Sequence, residues 1–283
     1  MLERILELSK YGDDTGIGVA VQEACHSTIS PHTHQFYELV YVIDGFCLHE
    51  TGVDDVTATD LLIEGDIFLI KPGRWHRYTG SHAVDIYNCL FSEKILESAD
   101  GELMLLPGLC PESPYIKLHL DIANQKRVAR LIKGILYDQT KRETGWQLKI
   151  KSQLCTLLVE YARTYESFST ARDNNSIYPN YVASALEIIS SCFRDPELTV
   201  AGIAKRVGVT PDYLSRQFKI LTGAGLQEYL RRFRFAKAAE LLLGGISVGD
   251  TANAVGFTNI CHFSREFRKE LGVAPTQYVK QNS

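Results

Sequence analysis

Residues 204–218 read AKRVGVTPDYLSRQF, and residues 252–267 read ANAVGFTNICHFSREF. Ala, Val, Gly, Ser-Arg and Phe recur in the same order, and the second copy has one extra residue between its halves. Such a repeat, built on helically spaced apolar residues, indicates two copies of one supersecondary element. Alanine lets two helices approach closely, and glycine supplies the left-handed turn between them. The pattern therefore predicts two helix-turn-helix units.

The second helix of each unit has a buried face and a polar face. In the first unit Thr210 is an N-cap residue, and Pro211 occupies the first helical position, where a missing N–H costs no hydrogen bond. Leu214 and Phe218 recur at helical spacing and predict the buried face. The polar face presents Asp212, Ser215, Arg216 and Lys219. In the second unit the corresponding face presents Cys261, His262, Arg265 and Arg268.

Short polar and basic side chains on such a helix are suited to contact with base edges in the DNA major groove. For one copy alone a solvated helix surface is the simpler interpretation, but two copies favour DNA recognition. Between the units, residues 226–243 combine helically spaced apolar residues with basic ones and predict one long helix. A rigid helix would let the two units enter successive major-groove turns about 34 Å apart.

The segment from Tyr181 to Lys280 resembles the arabinose-regulator (AraC/XylS) family of bacterial transcription factors. The most specific part is VGF-x5-FSR-x-FRK at residues 255–269, followed by Gly272, Pro275 and Tyr278. The resemblance implies a DNA-binding domain that reads double-stranded promoter DNA through the two polar faces. It also implies RNA polymerase as a partner.

Four positions of the second unit depart from the family pattern. The family usually has an apolar residue where Thr251 stands and an aromatic residue where His262 stands. Ile260 and Cys261 are also less polar than is usual at their positions. We therefore expect the second unit to contribute less to sequence reading than the first.

The charge of the chain is unevenly distributed. The net charge is −4, but the part from Asn180 onward has 13 Lys and Arg against 9 Asp and Glu. The part before it is acidic, so we expect phosphate contacts only in the helical half. Seven cysteines without a CxxC pair favour reduced thiols in the cytoplasm over disulfides or structural zinc. No apolar run approaches the roughly 20 residues that span a bilayer, and the N-terminus lacks the features of a signal peptide.

Residues 19–91 have the sequence pattern of short β-strands separated by turn residues. Residues 36–43 predict a strand that ends in a hairpin at Asp44-Gly45, and residues 61–63 lead to Gly65-Asp66. A strand at 67–70 leads to Pro72-Gly73, and residues 84–91 alternate. Closely spaced strands of this kind predict a small β-barrel or sandwich.

The run from His32 to Gly45 resembles the first sequence motif of the cupin superfamily, with His32, His34 and Glu38 in the family spacing. The second motif is matched imperfectly, through Gly65-Asp66, Pro72-Gly73 and His76. Strand periodicity places residues 32, 34 and 38 on one face, where with His76 they would satisfy a first-row metal. A pocket for a small polar effector without metal is the preferred interpretation, and no cofactor is expected. These four residues remain the metal candidates, and Trp75 and Tyr78 are assigned to the pocket mouth beside them.

After residue 120 the pattern becomes helical. Two amphipathic helices are predicted around Val128–Leu136 and Leu154–Tyr161, separated by Glu143-Thr144-Gly145. They would cover the barrel, and the family resemblance implies a homodimer contact through them. Residues 167–179 are polar and turn-rich, and they predict an interdomain linker.

These predictions give an α+β protein. A cupin-like barrel with a helical pair occupies residues 1–166, and a tandem helix-turn-helix domain occupies residues 180–283. The leading function is a ligand-responsive, sequence-specific transcriptional regulator of genes for carbohydrate or other small-molecule use. A metal-dependent cupin enzyme fused to a DNA-binding domain is the alternative, but its second motif is degraded and no acid/base pair is evident. A DNA-organising protein without a sensor is disfavoured by the large acidic half.

Overall fold

The computed structural model describes residues 4–6, 19–26, 29–53, 56–97, 99–173 and 177–282. Its first part is an eight-stranded sheet. The strands are β1 Arg4–Leu6, β2 Val19–His26, β3 Ile29–His34, β4 Tyr37–Val53, β5 Val56–Ile63, β6 Asp66–Ile70, β7 Trp75–Phe91 and β8 Leu118–His119. The predicted run of strands between residues 19 and 91 is confirmed.

Strands β4 and β7 form the frame of the sheet. Each has 17 residues, and the two pair antiparallel along their length. Strand β7 also pairs with β2 and β3, while β4 pairs with β5 and β6. Four strands therefore take their positions from the two long strands, while β1 pairs with β3 and β8 pairs with β6.

The predicted hairpin at Asp44-Gly45 is wrong, because β4 continues through both residues. The register with β7 shifts on either side of Asp44, and Gly45 has a φ of 82°. An extra residue in one strand of a pair makes a β-bulge, which uses the same positive-φ freedom of glycine as a hairpin turn. The sequence signal was therefore correct about local conformation and wrong about chain reversal.

The bulge exchanges the two faces of β4. Before it Val40 and Val42 lie in the barrel interior, and after it Cys47 does, so the interior positions change from even to odd numbers. The other face packs outward. Its first half belongs to the core beneath the helical pair, and its second half, with Phe46 and Leu48, belongs to the core of the C-terminal helical domain.

Ten α-helices follow among the residues that the structure describes, and none is long and apolar enough to span a membrane. They are α1 Glu93–Glu97, α2 Ile122–Lys141, α3 Trp146–Asp173, α4 Ile177–Cys192, α5 Val200–Val207, α6 Pro211–Thr222, α7 Leu226–Leu243, α8 Val248–Ala254, α9 Ile260–Leu271 and α10 Pro275–Asn282. A 3₁₀ helix, Ala99–Leu105, lies between α1 and β8.

The predicted helical pair is confirmed as α2 and α3, and the predicted long connector is α7. Most of the predicted linker at 167–179 is helical, because α3 continues to Asp173 and α4 starts at Ile177. Residues 174–176 lie outside the described residues. The domain boundaries remain a prediction.

The two helix-turn-helix units are α5–α6 and α8–α9. In the first, Gly208 ends α5 with a φ of 80°, and the Thr210 hydroxyl caps α6 by accepting from the Tyr213 backbone N–H. In the second, Gly256 has a φ of 81°, and Asn259 caps α9. Left-handed glycines and polar N-caps end one helix and start the next within a few residues.

The two repeat glycines provide a matched test of packing. A Cβ at Gly208 would meet no atom within 4 Å, whereas a Cβ at Gly256 would lie 2.9 Å from the Phe193 carbonyl oxygen and 3.0 Å from that of Arg194. Both substitutions place alanine in a left-handed backbone conformation, which is destabilising by about 1–2 kcal/mol. Gly256→Ala also clashes with backbone, so we expect it to lower the thermal unfolding midpoint more than Gly208→Ala, as measured by circular dichroism. Equal shifts would contradict the packing of the second turn against the α4–α5 loop.

Candidate functional site

The outer face of α6 is accessible along its length. Asp212, Arg216 and Lys219 are exposed and Ser215 is partly exposed, while Leu214 and Phe218 are completely buried on the opposite face. No ion pair within the described part of the chain involves Arg216 or Lys219. The predicted residues therefore form a polar face with two uncommitted cations.

The outer face of α9 carries Cys261, His262, Arg265 and Arg268, and all four are exposed. Arg265 lies 3.6 Å from the neighbouring carboxylate of Glu266, and 73% of its side chain is exposed. The His262 ring lies 5.7 Å from the ring of Phe257, and Ile260 is 48% exposed. An exposed apolar side chain is also present on α6, where Ile220 is 62% exposed, so the smaller contribution of the second unit stays a prediction.

The three arginines of α7 are paired within the helical domain. Arg231 and Arg232 both bind the Glu270 carboxylate, at 3.0 and 3.2 Å. Arg234 donates to the backbone carbonyl oxygens of Phe193 and Asp195. These contacts hold α7 against α9 and the end of α4, whereas α5, α6 and α9 carry exposed cations.

A second cluster of polar residues lies inside the barrel. His34, Glu38 and His76 are at most 5% exposed, and His32 is 8% exposed. Glu38 Oε2 lies 3.1 Å from His34 Nε2 and 3.6 Å from His76 Nε2. The His32 ring centroid is 4.1 Å from that of His76, its cross-strand neighbour. The structure therefore brings together all four predicted residues on β3, β4 and β7.

Hydrogen bonds fix the orientation of two of these imidazoles. His34 Nδ1 donates to the Phe36 carbonyl oxygen at 2.6 Å, and His32 Nδ1 donates to that of Ser30 at 2.9 Å. Because a carbonyl oxygen can only accept, each Nδ1 carries a proton and each ring directs Nε2 elsewhere. His34 Nε2 and His76 Nε2 have no hydrogen-bond partner. Three ligand atoms of His34, Glu38 and His76 lie within 4.8 Å of one another and could hold a metal ion.

Two residues near this cluster, Tyr78 and His49, lie where the sequence analysis did not place them. Tyr78 is not at the mouth, because alternation along β7 turns it into the interior, where it is 1% exposed. Trp75 begins β7 and is partly exposed. His49 was not predicted, yet it is completely buried with its ring 5.1 Å from that of Tyr78 and 5.7 Å from that of His76. Only the face change at the bulge places His49 inside, and the spacing of the preceding strand does not reveal it.

Burial controls the charge of the inner histidines. Desolvation lowers the pKa of His49 to about 3, assisted by the positive charges of Arg74 and His32. Desolvation also holds the pKa of His76 well below its usual value, and neighbouring histidines act in the same direction. Both imidazoles are therefore neutral at neutral pH.

The outer face of the same strands binds the helical domain through a group of four charged residues, which we call the interdomain ion group. It consists of Glu50 on β4, Arg77 on β7, and Lys237 and Glu240 on α7. Glu50 accepts from Arg77 at 2.6 Å and pairs with Lys237 at 3.2 Å, and Lys237 pairs with Glu240 at 3.0 Å. Burial raises the pKa of Glu50, but its two cationic partners outweigh burial and hold that pKa below the usual value. Beside the ion group, the Leu61 backbone N–H donates to the Tyr229 hydroxyl at 3.3 Å.

Two family sequence models match the chain. The AraC-like ligand binding domain matches residues 16–158, and the helix-turn-helix domain matches residues 203–281. The chain is 25% identical over 256 residues to the HTH-type transcriptional activator RhaR of Yersinia pseudotuberculosis serotype O:3 (strain YPIII), covering 89% of this chain and 84% of that protein. It is 26% identical over 253 residues to the activator of the same name from Pectobacterium carotovorum (strain PC1), covering 87% and 84%. Among solved structures, the C-terminal domain of AraT, a response regulator from Geobacillus stearothermophilus, is 35% identical and covers 36% of this chain and 84% of that one, with a TM-score of 0.35.

The interdomain ion group can be tested against a similar group elsewhere. Glu160 on α3 also contacts two arginines, Arg127 and Arg163, but lies away from the domain contact. We expect Glu50→Gln to accelerate cleavage between the barrel and helical domains in limited proteolysis, because it removes the charge shared by Arg77 and Lys237. Glu160→Gln should leave the cleavage rate unchanged. A similar rate for Glu50→Gln and the unmodified chain would mean that the ion group does not hold the domains together.

Proposed function

The chain belongs to the AraC family of helix-turn-helix transcriptional regulators, and we propose that it couples a small-molecule site in the barrel to promoter recognition by α6 and α9. The observation that carries this proposal is the pairing of two accessible polar helix faces with a buried cluster of polar side chains in the matched ligand-binding domain. The relatives and the matching families are transcriptional regulators, so an enzyme is not proposed.

The DNA contact is assigned to the two outer faces of the helix-turn-helix units. Arginine and lysine bind guanine edges and phosphates, while short polar side chains bind several base edges. On α6 the contacts are Asp212, Ser215, Arg216 and Lys219, and on α9 they are Cys261, His262, Arg265 and Arg268. The partner is double-stranded promoter DNA. The first unit takes the larger share of sequence reading, because Ile260 and Cys261 offer α9 little hydrogen bonding to bases.

The effector is a small polar molecule such as a sugar, and the regulated genes are those for its use. Its binding residues are His32, His34, Glu38, Trp75, His76 and Tyr78. Buried imidazole and carboxylate groups without partners cost about 1–3 kcal/mol each, and a bound polar ligand would satisfy them. The unpartnered Nε2 atoms of His34 and His76 support a ligand at this position.

Alternation along β7 supports coupling between the pocket and the DNA-binding domain. His76 and Tyr78 face the interior, while Arg77 between them faces outward to Glu50 and lies 3.8 Å from Glu240 on α7. A ligand that displaces the inner side chains also displaces the strand that carries Arg77. Because α7 joins the two helix-turn-helix units, its position affects how both are presented to DNA. A coupling of about 1–3 kcal/mol suffices for regulation.

The regulator acts in the cytoplasm as a homodimer and contacts RNA polymerase at the promoter. The dimer contact is assigned to the α2–α3 pair within residues 121–166. Tyr137 is 51% exposed and Leu148 is 72% exposed, and the 2.9 Å ion pair between the adjacent Asp138 and Lys149 places them near each other. Exposed apolar neighbours of this kind favour self-association.

Arg216 tests the assignment of sequence reading to α6. We expect Arg216→Ala to weaken binding to the DNA upstream of the gene by about 1–3 kcal/mol more than binding to random DNA, because a bidentate base contact is lost. Gel-shift titration measures both affinities. Arg265→Ala should have a smaller effect on this difference, and Arg163→Ala, at an exposed position on α3, should have none. Equal loss on both DNAs would make Arg216 a phosphate contact, and a greater loss of selectivity in Arg265→Ala would reverse the order of the two units.

Leu148 tests the proposed dimer contact. We expect Leu148→Glu to convert the dimer to a monomer, since a buried unpaired carboxylate at the centre of a contact is costly. Sedimentation velocity over a range of concentrations measures the dissociation constant. Ile246→Glu places the same change at an exposed isoleucine of the helical domain and should leave the dimer intact. Dimerisation unchanged in Leu148→Glu would locate the contact elsewhere.

A further inference from the structure

We propose that the outer face of α2 binds the phosphate backbone of DNA beside the segment that α6 and α9 contact. This face carries four exposed cations, Lys126, Arg130, Lys133 and Lys141, which we call the α2 basic stripe. The proposal goes beyond the proposed function, which places DNA contacts only on the two helix-turn-helix units. It also departs from the expectation that phosphate contacts lie only in the C-terminal helical half.

The helical pair differs in charge from the barrel that it covers. Residues 1–120 have 19 Asp and Glu against 7 Lys and Arg, whereas residues 121–166 have 9 Lys and Arg against 5 Asp and Glu. The acidic character of the N-terminal half therefore belongs to the barrel. A basic part is hidden within the sum, and it lies on α2 and α3.

The α2 basic stripe lies on one side of the helix, opposite its buried side. At about 100° per residue, its four positions fall within about 80° of one another, and the buried Val128, Ile132 and Ile135 fall on the other side. The stripe extends about 22 Å along the helix axis. A helix face that meets only solvent typically alternates acidic and basic residues, but residues 122–137 contain no acid.

The cations of the stripe are not neutralised by neighbouring carboxylates. Among the residues that the structure describes, none of the four makes an ion pair. Asp138 on the same helix is buried and pairs with Lys149, and Glu160 on α3 is shared by Arg127 and Arg163. Both carboxylates are thus occupied by other cations, and the charge of the stripe remains available to a partner.

The chemistry of the stripe fits a phosphate backbone better than an acidic protein or a membrane. Protein interfaces are depleted in lysine, whereas three of the four stripe residues are lysine. A membrane-binding helix needs a free apolar face, but the apolar face of α2 is buried in the core beneath the helical pair. Lysine and arginine bind phosphates without regard to base sequence, and a row of them matches a linear polyanion. DNA that continues past the promoter site supplies that polyanion.

The stripe restricts how two chains meet through the helical pair. Two stripes placed face to face would bring like charges together, so a symmetric contact that buries both is unfavourable. The proposed dimer contact centres on Tyr137 and Leu148, near the turn that joins α2 to α3. Lys126, Arg130 and Lys133 lie toward the other end of α2, outside that contact.

The salt dependence of DNA binding by the full chain tests the stripe. One variant combines Lys126→Gln, Arg130→Gln and Lys133→Gln, and a charge-preserving variant combines Lys126→Arg, Arg130→Lys and Lys133→Arg. Gel-shift titrations use a random duplex several helical turns long at several salt concentrations. Because each phosphate contact contributes about 0.9 to the slope of log affinity against log salt, we expect the glutamine variant to flatten that slope by about 2–3. The charge-preserving variant should keep the slope, and so should Lys94→Gln, which removes an exposed cation of α1.

Hydroxyl-radical footprinting on the DNA upstream of the gene locates the contact. We expect the unmodified chain to protect backbone beyond the segment that the glutamine variant protects. Protection at the centre, where the helix-turn-helix units bind, should be the same for both. Circular dichroism checks that the variant is folded, and sedimentation velocity checks that it still dimerises.

An unchanged slope with an unchanged footprint would overturn the proposal. If the glutamine variant binds DNA as before but loses activation of RNA polymerase in vitro, the stripe binds an acidic protein surface instead. A flattened slope with an unchanged footprint would mean that the stripe acts through its long-range field and makes no contact. If the slope flattens but neither chain gives a footprint, the stripe binds DNA, and it is the proposed promoter recognition that fails.

Discussion

The alternation of side chains along β4 and β7 is the constraint on which the rest of the structure depends. Neighbouring residues of a strand point to opposite faces, so each long strand contributes to the interior and to an outer contact at once. On β7, His76 and Tyr78 belong to the polar interior, and Arg77 between them belongs to the interdomain ion group. On β4, His49 lies in the interior, and the next residue, Glu50, belongs to the interdomain ion group. The buried histidine cluster and the domain contact are therefore separated by the thickness of one strand.

The bulge at Gly45 makes this arrangement possible. Without the extra residue, the even-numbered positions that place Glu38 and Val40 inside would also place Phe46 and Leu48 inside. The outer face of the second half of β4 would then present polar residues where α7 needs an apolar surface. The bulge thus lets β4 contribute side chains to two cores, one inside the barrel and one shared with the helical domain. A single residue with positive φ sets which side chains lie in the barrel interior and which meet α7.

The helical half could be predicted from the sequence in detail because its signals are local. Thr210, Pro211 and the glycines after α5 and α6 define helix ends by chemistry that depends only on near neighbours. The histidine cluster could also be predicted from the sequence, since a spacing of two along a strand places His32 and His34 on one face. The interior position of His49 and the pairing of Glu50 with Lys237 were not, because they depend on register across the sheet and on contacts between residues far apart in the chain. Asp44-Gly45 failed as a turn signal for the same reason: partner strands, and not local propensity, decide whether a chain reverses.

The basic residues of α7 are paired within the protein, and this pairing affects how the affinity for DNA depends on salt concentration. Arg231, Arg232, Arg234 and Lys237 are held by carboxylates or carbonyl oxygens, so they are not free to displace counterions from DNA. Each phosphate contact contributes a slope of about −0.9 to the dependence of log affinity on log salt concentration. The exposed cations that remain for phosphate contacts include those of α5, α6 and α9. The pairing of these four α7 residues therefore makes the affinity for promoter DNA less sensitive to salt than the number of basic residues in the helical domain suggests.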